Sequence, residues 1–169
     1  MNRTRRTQSE SETSGGVLVI LPVLNEAANI AALLDRIEIE LLGMPFTIAI
    51  LDDGSTDGTI EIIQARMQRP DHHLHLARRK KIHRSSQRGS ALRQLMLYGI
   101  EHTAHDVLVE MDGDLSHRPE ELRDGIRLVR ESRCDIAIAS KYVAGSVVTN
   151  RPWGRRLVSK LGNYAVRGR

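Results

Sequence analysis

Aromatic residues are scarce in this chain: one Phe, one Trp and three Tyr amount to 3% of 169 residues. So few rings offer no stacking platform for bases, which argues against a nucleic-acid-binding module. A single cysteine, Cys134, excludes an internal disulfide and any multi-thiolate zinc site, and is expected to be a small buried hydrophobe. The longest apolar run, Val17 to Leu24, is eight residues and contains a proline, well short of a bilayer span. No signal peptide precedes it, so a cytoplasmic location is expected. No Gly-x-Gly-x-x-Gly follows the first strand and no Walker A sequence occurs, which disfavours a dinucleotide fold of the usual kind and a P-loop ATPase.

Acids are missing from two stretches of the chain. Between His72 and Ile100 lie seven cations (Arg78, Arg79, Lys80, Lys81, Arg84, Arg88, Arg93) and no acid. After Asp135 come seven more (Lys141, Arg151, Arg155, Arg156, Lys160, Arg167, Arg169), again with no acid. Such segments imply a polyanionic partner: nucleic acid, a phosphorylated substrate or an anionic membrane face. A solvated basic loop is the plain alternative for the first of them.

What is present is a 40% hydrophobic, 27% charged chain, of a length that buries one core. Residues 1–15 are Ser/Thr/Arg/Glu-rich without apolar periodicity and read as a disordered arm; residues 16–169 read as one domain. Val17 to Leu21 is a short buried strand closed by Pro22. Ile30, Leu33, Leu34, Ile37 and Leu41 form one stripe of an amphipathic helix that Gly43 and Pro45 end. Phe46 to Leu51 is a second strand. Ile60, Ile63 and Met67 mark a second helix, with Asp57 as its cap. His73 to Ala77 is a third strand, and Ala91, Leu92, Leu95, Met96 and Ile100 a third helix. Asp106 to Met111 is a fourth strand, Pro119 to Ser132 a fourth helix, and Asp135 to Ala139 a fifth strand; a helical tail follows from Trp153. This alternation predicts an α/β fold with a mostly parallel sheet and helices on both faces.

In such sheets ligands bind beyond the carboxyl ends of the strands. The residues there are Pro22 to Glu26, Asp52 to Ser55, the Arg78 to Gly89 loop, Asp112-Gly113-Asp114 and Ser140 to Tyr142, acidic and basic on one rim. Asp112 and Asp114, separated by a glycine after an apolar strand, are hard oxygen donors suited to Mg²⁺ or Mn²⁺ with positions left for phosphate oxygens. An ordinary surface turn would give the same three residues. Asp52-Asp53 is either a turn and cap sequence or a pair in which one carboxylate accepts from a ribose hydroxyl or base N–H. Adjacent carboxylates in a buried turn repel unless something positive or donor-rich relieves them. His72, His73 and His75 lack a fourth ligand, so no metal site is expected there, and His117 reads as a local hydrogen-bonding residue.

Val19 to Glu26, Leu51 to Thr59, Met111 to Glu120 and Ser140-Lys141-Tyr142 resemble, in order, the motifs of family-2 glycosyltransferases, and within them the polyprenol-phosphate (dolichol-phosphate) mannosyltransferases. The resemblance covers about residues 16–165. It implies a Rossmann-like GT-A nucleotide-sugar-binding fold. It also implies inverting transfer of a hexose, mannose from GDP-mannose first, to a polyprenyl or dolichyl phosphate. Pro22, Leu24, Glu26, Leu51 and Asp53 match positions that line the nucleotide and sugar. Asp112, Gly113 and Asp114 match the metal–diphosphate grip, with Ser116 completing the shell around Mg²⁺ or Mn²⁺. Lys141 falls where the family carries a phosphate-binding arginine, keeping the charge but losing the bidentate fork. Arg155, Ser159 and Asn163 match an Arg-x3-Ser-x3-Asn helix at the acceptor phosphate, which makes Asp114 and Arg155 the expected catalytic pair. The expected partners are a nucleotide sugar and a lipid phosphate, with peripheral contact at an anionic membrane face or with a separate membrane subunit.

The family pattern continues past Asn163 into segments this sequence lacks, so the domain is expected to be C-terminally short. An uncovered apolar edge would then favour a homodimer. The open alternatives are a UDP-sugar donor, a hydroxyl acceptor, and a member that binds nucleotide without turnover. A haloacid-dehalogenase-like phosphohydrolase also uses Asp-x-Asp, but at its first strand and with downstream motifs absent here.

Overall fold

A computed structural model describes residues 15–79, 88–131 and 133–140. All of the described helices and strands belong to one compact unit, Met1–Ala137. Its elements are β1 (Gly16–Val23), α1 (Ile30–Glu40), β2 (Phe46–Asp52), α2 (Thr59–Met67), β3 (Leu74–Arg78), α3 (Arg88–His102), β4 (His105–Glu110), a 3₁₀ turn (Pro119–Glu121) and α4 (Leu122–Arg130). The four strands form a sheet in the order β3-β2-β1-β4, with every neighbouring pair parallel.

Alternation along β1 decides the layers, because successive side chains of a strand point to opposite faces. Val17, Val19, Leu21 and Val23 join Ile48 and Ile50 of β2 beneath α1, α2 and α4. Leu18 and Ile20 join Ala49 and Leu51 beneath Ala91 and Leu95 of α3. Helices therefore cover both faces, as expected. The stripe of α1 buries Ile30, Leu33, Leu34 and Ile37 completely. At about 1.5–3 kcal/mol for each fully buried side chain, that contact outweighs the weak intrinsic stability of an eleven-residue helix. Gly43, at φ +84°, takes the left-handed turn that lets the chain leave α1.

Five local expectations are corrected. Pro22 does not close β1; it pairs in register with Leu51, and the strand runs on to Val23. Alternation points its missing N–H toward β4, just beyond the last bond of that ladder, from the Met111 N–H to the Ile20 carbonyl, so the proline ends the pairing with β4 while pairing with β2 continues. The N-cap of α2 is Gly58, at φ +99°, rather than Asp57. Pro119–Glu121 is a separate 3₁₀ turn ahead of α4, which ends at Arg130. Finally, Asp135 to Ala139 is not a strand: Ile136 and Ile138 are 75% and 82% exposed and no strand pairs with them among the described residues. Alternating Ile and Ala supplies two faces, but a strand exists only where a neighbour takes its backbone hydrogen bonds. Cys134 is half-buried rather than buried. The arm expected at residues 1–15 lies, except for Gly15, outside the described residues, as does the helix expected from Trp153.

Candidate functional site

From β1 the chain moves one way across the sheet to β2 and β3, then returns to the other side of β1 for β4. The carboxyl ends of β1 and β4 thus flank a topological switch point, where open α/β sheets form their ligand crevice. Pro22 to Glu26 lies at one wall and Asp112-Gly113-Asp114 at the other. Their contact is close: a Cβ on Gly113 would stand 3.0 Å from Cγ of Glu26 and 3.3 Å from Cγ1 of Val23. The middle residue of the acidic motif is glycine because the loop lies against the end of β1. Two non-glycine residues here hold positive φ, Asn25 (57°) and Leu115 (60°). Such conformations are uncommon, above all for a bulky residue such as leucine, and cluster at functional sites.

The segment after β2 holds the first wall in place. The Asn25 N–H donates to the Ser55 hydroxyl at 2.8 Å, and Asn25 Oδ1 accepts from the Thr56 N–H at 2.9 Å. The Glu26 N–H donates to Thr59 Oγ1 and the Ala27 N–H to Asp57 Oδ2, at 2.8 and 2.9 Å. Thr59 donates its hydroxyl to Asp57, which holds that carboxyl below its ordinary range. The Ser-Thr-Asp-Gly-Thr run is therefore both a turn and a clasp on the loop that carries Glu26, whose own carboxylate accepts from the Asn29 amide at 2.9 Å.

Asp52 and Asp53 divide the two roles open to them. Asp52 is completely buried and accepts the N–H groups of Gly54 and Ser55, a structural turn, with Arg78 Nε at 3.7 Å. Asp53 faces Arg79, whose guanidinium forks onto both of its oxygens and reaches Ser90 on α3 at 2.7 Å. The positive relief expected for adjacent carboxylates is supplied by Arg78 and Arg79. Leu51 is buried under α3, so its side chain does not line the crevice, whereas Leu24 is 41% exposed at its mouth.

At the second wall, Asp114 accepts from the Ser116 hydroxyl and N–H, which hold its carboxyl below the ordinary value against the opposing effect of partial burial. Asp112 Oδ1 lies 2.6 Å from Nη2 of Arg88, and the same nitrogen is 3.0 Å from Glu110 Oε1. His117 is the local hydrogen-bonding residue expected: its Nδ1 accepts the Asp112 N–H at 3.2 Å. Among the described residues no cluster of three or more His, Cys, Asp or Glu is placed to hold a metal. Two carboxylates and a hydroxyl do fit a Mg²⁺ or Mn²⁺ ion whose remaining ligands are water and substrate phosphate, the usual arrangement for Mg²⁺.

The profile of "Glycosyl transferase family 2" matches residues 18–168. The chain belongs to that family. A dolichol-phosphate mannosyltransferase of Pyrococcus furiosus is 36% identical over 144 residues, 85% of this chain and 38% of the relative. A polyprenol monophosphomannose synthase of Mycolicibacterium smegmatis is 36% identical over 149 residues, 86% of this chain and 52% of the relative. The chain thus spans about half or less of the length of these family-2 relatives. Among solved structures, glucosyl-3-phosphoglycerate synthase from Mycobacterium tuberculosis, in complex with Mn²⁺, UDP and phosphoglyceric acid, aligns with a TM-score of 0.52 at 25% identity. That alignment covers 69% of this chain and 39% of that one. S. aureus TarS residues 1–349 with UDP-GlcNAc aligns with a TM-score of 0.53 at 23% identity, over 80% and 37% of the respective chains. The four-stranded parallel sheet and its two helical layers are thereby placed in the GT-A glycosyltransferase fold.

Of the site residues expected from the sequence, Pro22, Leu24, Glu26, Asp53, Asp112, Gly113, Asp114 and Ser116 lie at the strand ends around the crevice. Lys141, Arg155, Ser159 and Asn163 lie outside the described residues. The cations Arg79 and Arg88 were not among the expected site residues, although they pair with expected acids. Their signal was present as a rim of both signs, read as a binding surface for an anion; among the described residues Arg78, Arg79 and Arg88 of that rim pair with acids of the same chain.

Proposed function

We propose that this family-2 chain binds a nucleotide sugar through a divalent metal and transfers its hexose, with inversion, to a polyprenyl phosphate, mannose from GDP-mannose being the leading donor. The observation that carries the reading is the pair of carboxylates, Asp112 and Asp114, at the switch point of the sheet beside Glu26. The names of the two 36%-identical relatives support the polyprenyl-phosphate acceptor.

In this reading Asp112, Asp114 and the Ser116 hydroxyl hold Mg²⁺ or Mn²⁺, which when bound neutralises the diphosphate leaving group. Pro22, Leu24, Glu26 and Asp53 line the nucleoside and sugar, with Leu51 reduced to a backbone contribution by its burial. Lys141 shares the phosphate charge, and stabilising charge as it develops is the largest catalytic term in most enzymes. Arg155, Ser159 and Asn163 orient the acceptor phosphate, which is anionic near neutral pH and so needs no general base. No described helix is long and apolar enough to cross a membrane. The reading therefore includes peripheral contact of the acid-free basic segments with an anionic membrane face, where a lipid acceptor would be met.

A UDP-sugar donor is the second reading. It is favoured by the 25%-identical structure holding Mn²⁺ and UDP. Calorimetry with GDP, UDP and GDP-mannose, each with and without Mn²⁺, separates them. The proposal expects metal-dependent binding strongest for the guanine nucleotides. Binding of UDP alone would transfer the assignment to the second reading, and metal-independent binding would remove both.

A further inference from the structure

Arg88 is placed against the electrostatics of its own helix. It opens α3, where the partial positive charge of a helix N-terminus disfavours a cation, and the first turn of α3 contains no acid to offset it. What holds it there is the far side of the crevice: Nη2 lies 2.6 Å from Asp112 Oδ1 and 3.0 Å from Glu110 Oε1. One guanidinium nitrogen thus bridges two carboxylates that lie two residues apart at the end of β4. Its side chain is 48% exposed, so it is free to swing out without disturbing a packed core, whereas Asp112 is only 24% exposed.

We infer that Arg88 is a latch on the metal site: its guanidinium holds Oδ1 of Asp112, whose Oδ2 faces His117 Nε2 at 3.7 Å, so a divalent ion competes with Arg88 for this carboxylate and its binding leaves Arg88 on Glu110 alone. The inference rests on the reading of Asp112 and Asp114 as metal ligands and adds a positioning residue from another element to it. In the metal-free chain the latch removes the repulsion between Glu110 and Asp112 and keeps the acidic loop docked. Its cost is competition. An exposed charge pair is worth only a modest free energy, so the latch lowers metal affinity by about two- to fivefold and does not abolish it. Both the pair and the competition weaken as salt screens them.

The sign of one measurement separates this role from a merely structural one. MnCl₂ is titrated into the full chain without nucleotide, with bound ion followed by the electron paramagnetic resonance of free Mn²⁺ and folding checked by circular dichroism. The expected result is that Arg88→Gln binds Mn²⁺ about two- to fivefold more tightly than the unsubstituted chain. Arg88→Lys, which keeps the charge without the fork, falls between them, and Asp112→Asn abolishes binding in either background. Equal or weaker Mn²⁺ affinity in Arg88→Gln, with binding still lost in Asp112→Asn, overturns the latch and leaves the metal site standing. No Mn²⁺ binding to any of these chains overturns the metal reading and the latch together.

Discussion

Replacing Arg79 with glutamine is expected to destabilise the domain mainly by stranding Asp53. The guanidinium satisfies both Asp53 oxygens, and the two side chains are 18% and 15% exposed, closer to a buried pair than to a surface one. Breaking a fully buried pair costs about 3–5 kcal/mol and an exposed one about 0–1 kcal/mol. At this exposure about 2–3 kcal/mol is expected, since the abandoned carboxylate also sits next to that of Asp52. Asp53→Asn removes the charge that needs Arg79 and keeps one acceptor, so the double variant should lose much less than the sum of the single ones. Urea unfolding followed by circular dichroism on the four chains gives the coupling directly, with an expected value of about 1.5–2.5 kcal/mol. Ser90→Ala serves as a control for the bond from Arg79 to α3, worth about 1 kcal/mol. A coupling below about 0.5 kcal/mol would show that solvent, rather than Arg79, carries the Asp53 charge, and the reasoning would fail.

Asn25→Ala should cost about 1–2 kcal/mol, combining the loss of the Thr56 acceptor with the penalty of a left-handed Cβ residue. Asn25→Gly, free of that penalty, should cost less; equal costs in urea unfolding would contradict the assigned backbone. Leu34→Ala, a fully buried position, should cost about 2–5 kcal/mol, while Ile39→Ala, 68% exposed on the same helix, should stay within about 0.5 kcal/mol; similar values for both would refute the orientation of α1. The hydrogen bonds from Arg130 hold the Asp106 carboxyl below its ordinary 3.8. A carboxyl depressed in the folded state contributes stability above the ordinary value and loses it as pH falls through the depressed one. The gap in urea midpoint between the unsubstituted chain and Asp106→Asn should therefore be small but constant at neutral pH and close below about pH 4, because the pair is partly exposed. A gap that widens in acid would reverse the sign of the argument.

The sheet was legible because its code is local. Val17 to Leu21 is apolar on both faces, which only a central strand requires, and the stripe of Ile30, Leu33, Leu34 and Ile37 fits a single helix face. What failed needed a partner to be visible. Ile136 and Ile138 alternate as a strand would, yet no neighbour pairs with them among the described residues. Pro22 reads as a terminator, and its missing N–H does end the pairing with β4, but β1 runs on to Val23 on its β2 side, which the sequence alone does not show. At the site, Asp112, Gly113 and Asp114 were visible from composition at a strand end. Arg79 and Arg88 were not assigned, because the acids they neutralise lie 26 and 24 residues away in the chain (79 − 53 and 112 − 88) and meet them only across the folded rim. Leu51 shows the converse: a motif position that shares the rim in sequence while its side chain packs into the core under α3, leaving its backbone at the strand end.

The central claim is that Asp112 and Asp114 hold a divalent ion that grips a diphosphate, and anomalous diffraction from a crystal grown with Mn²⁺ and GDP tests it most directly. The account predicts a manganese peak within coordination distance of both carboxylates and of the diphosphate oxygens, with the Arg88 guanidinium withdrawn from Asp112. Ordered nucleotide with no anomalous peak at those carboxylates, and Arg88 still bridging Asp112 and Glu110, would contradict it.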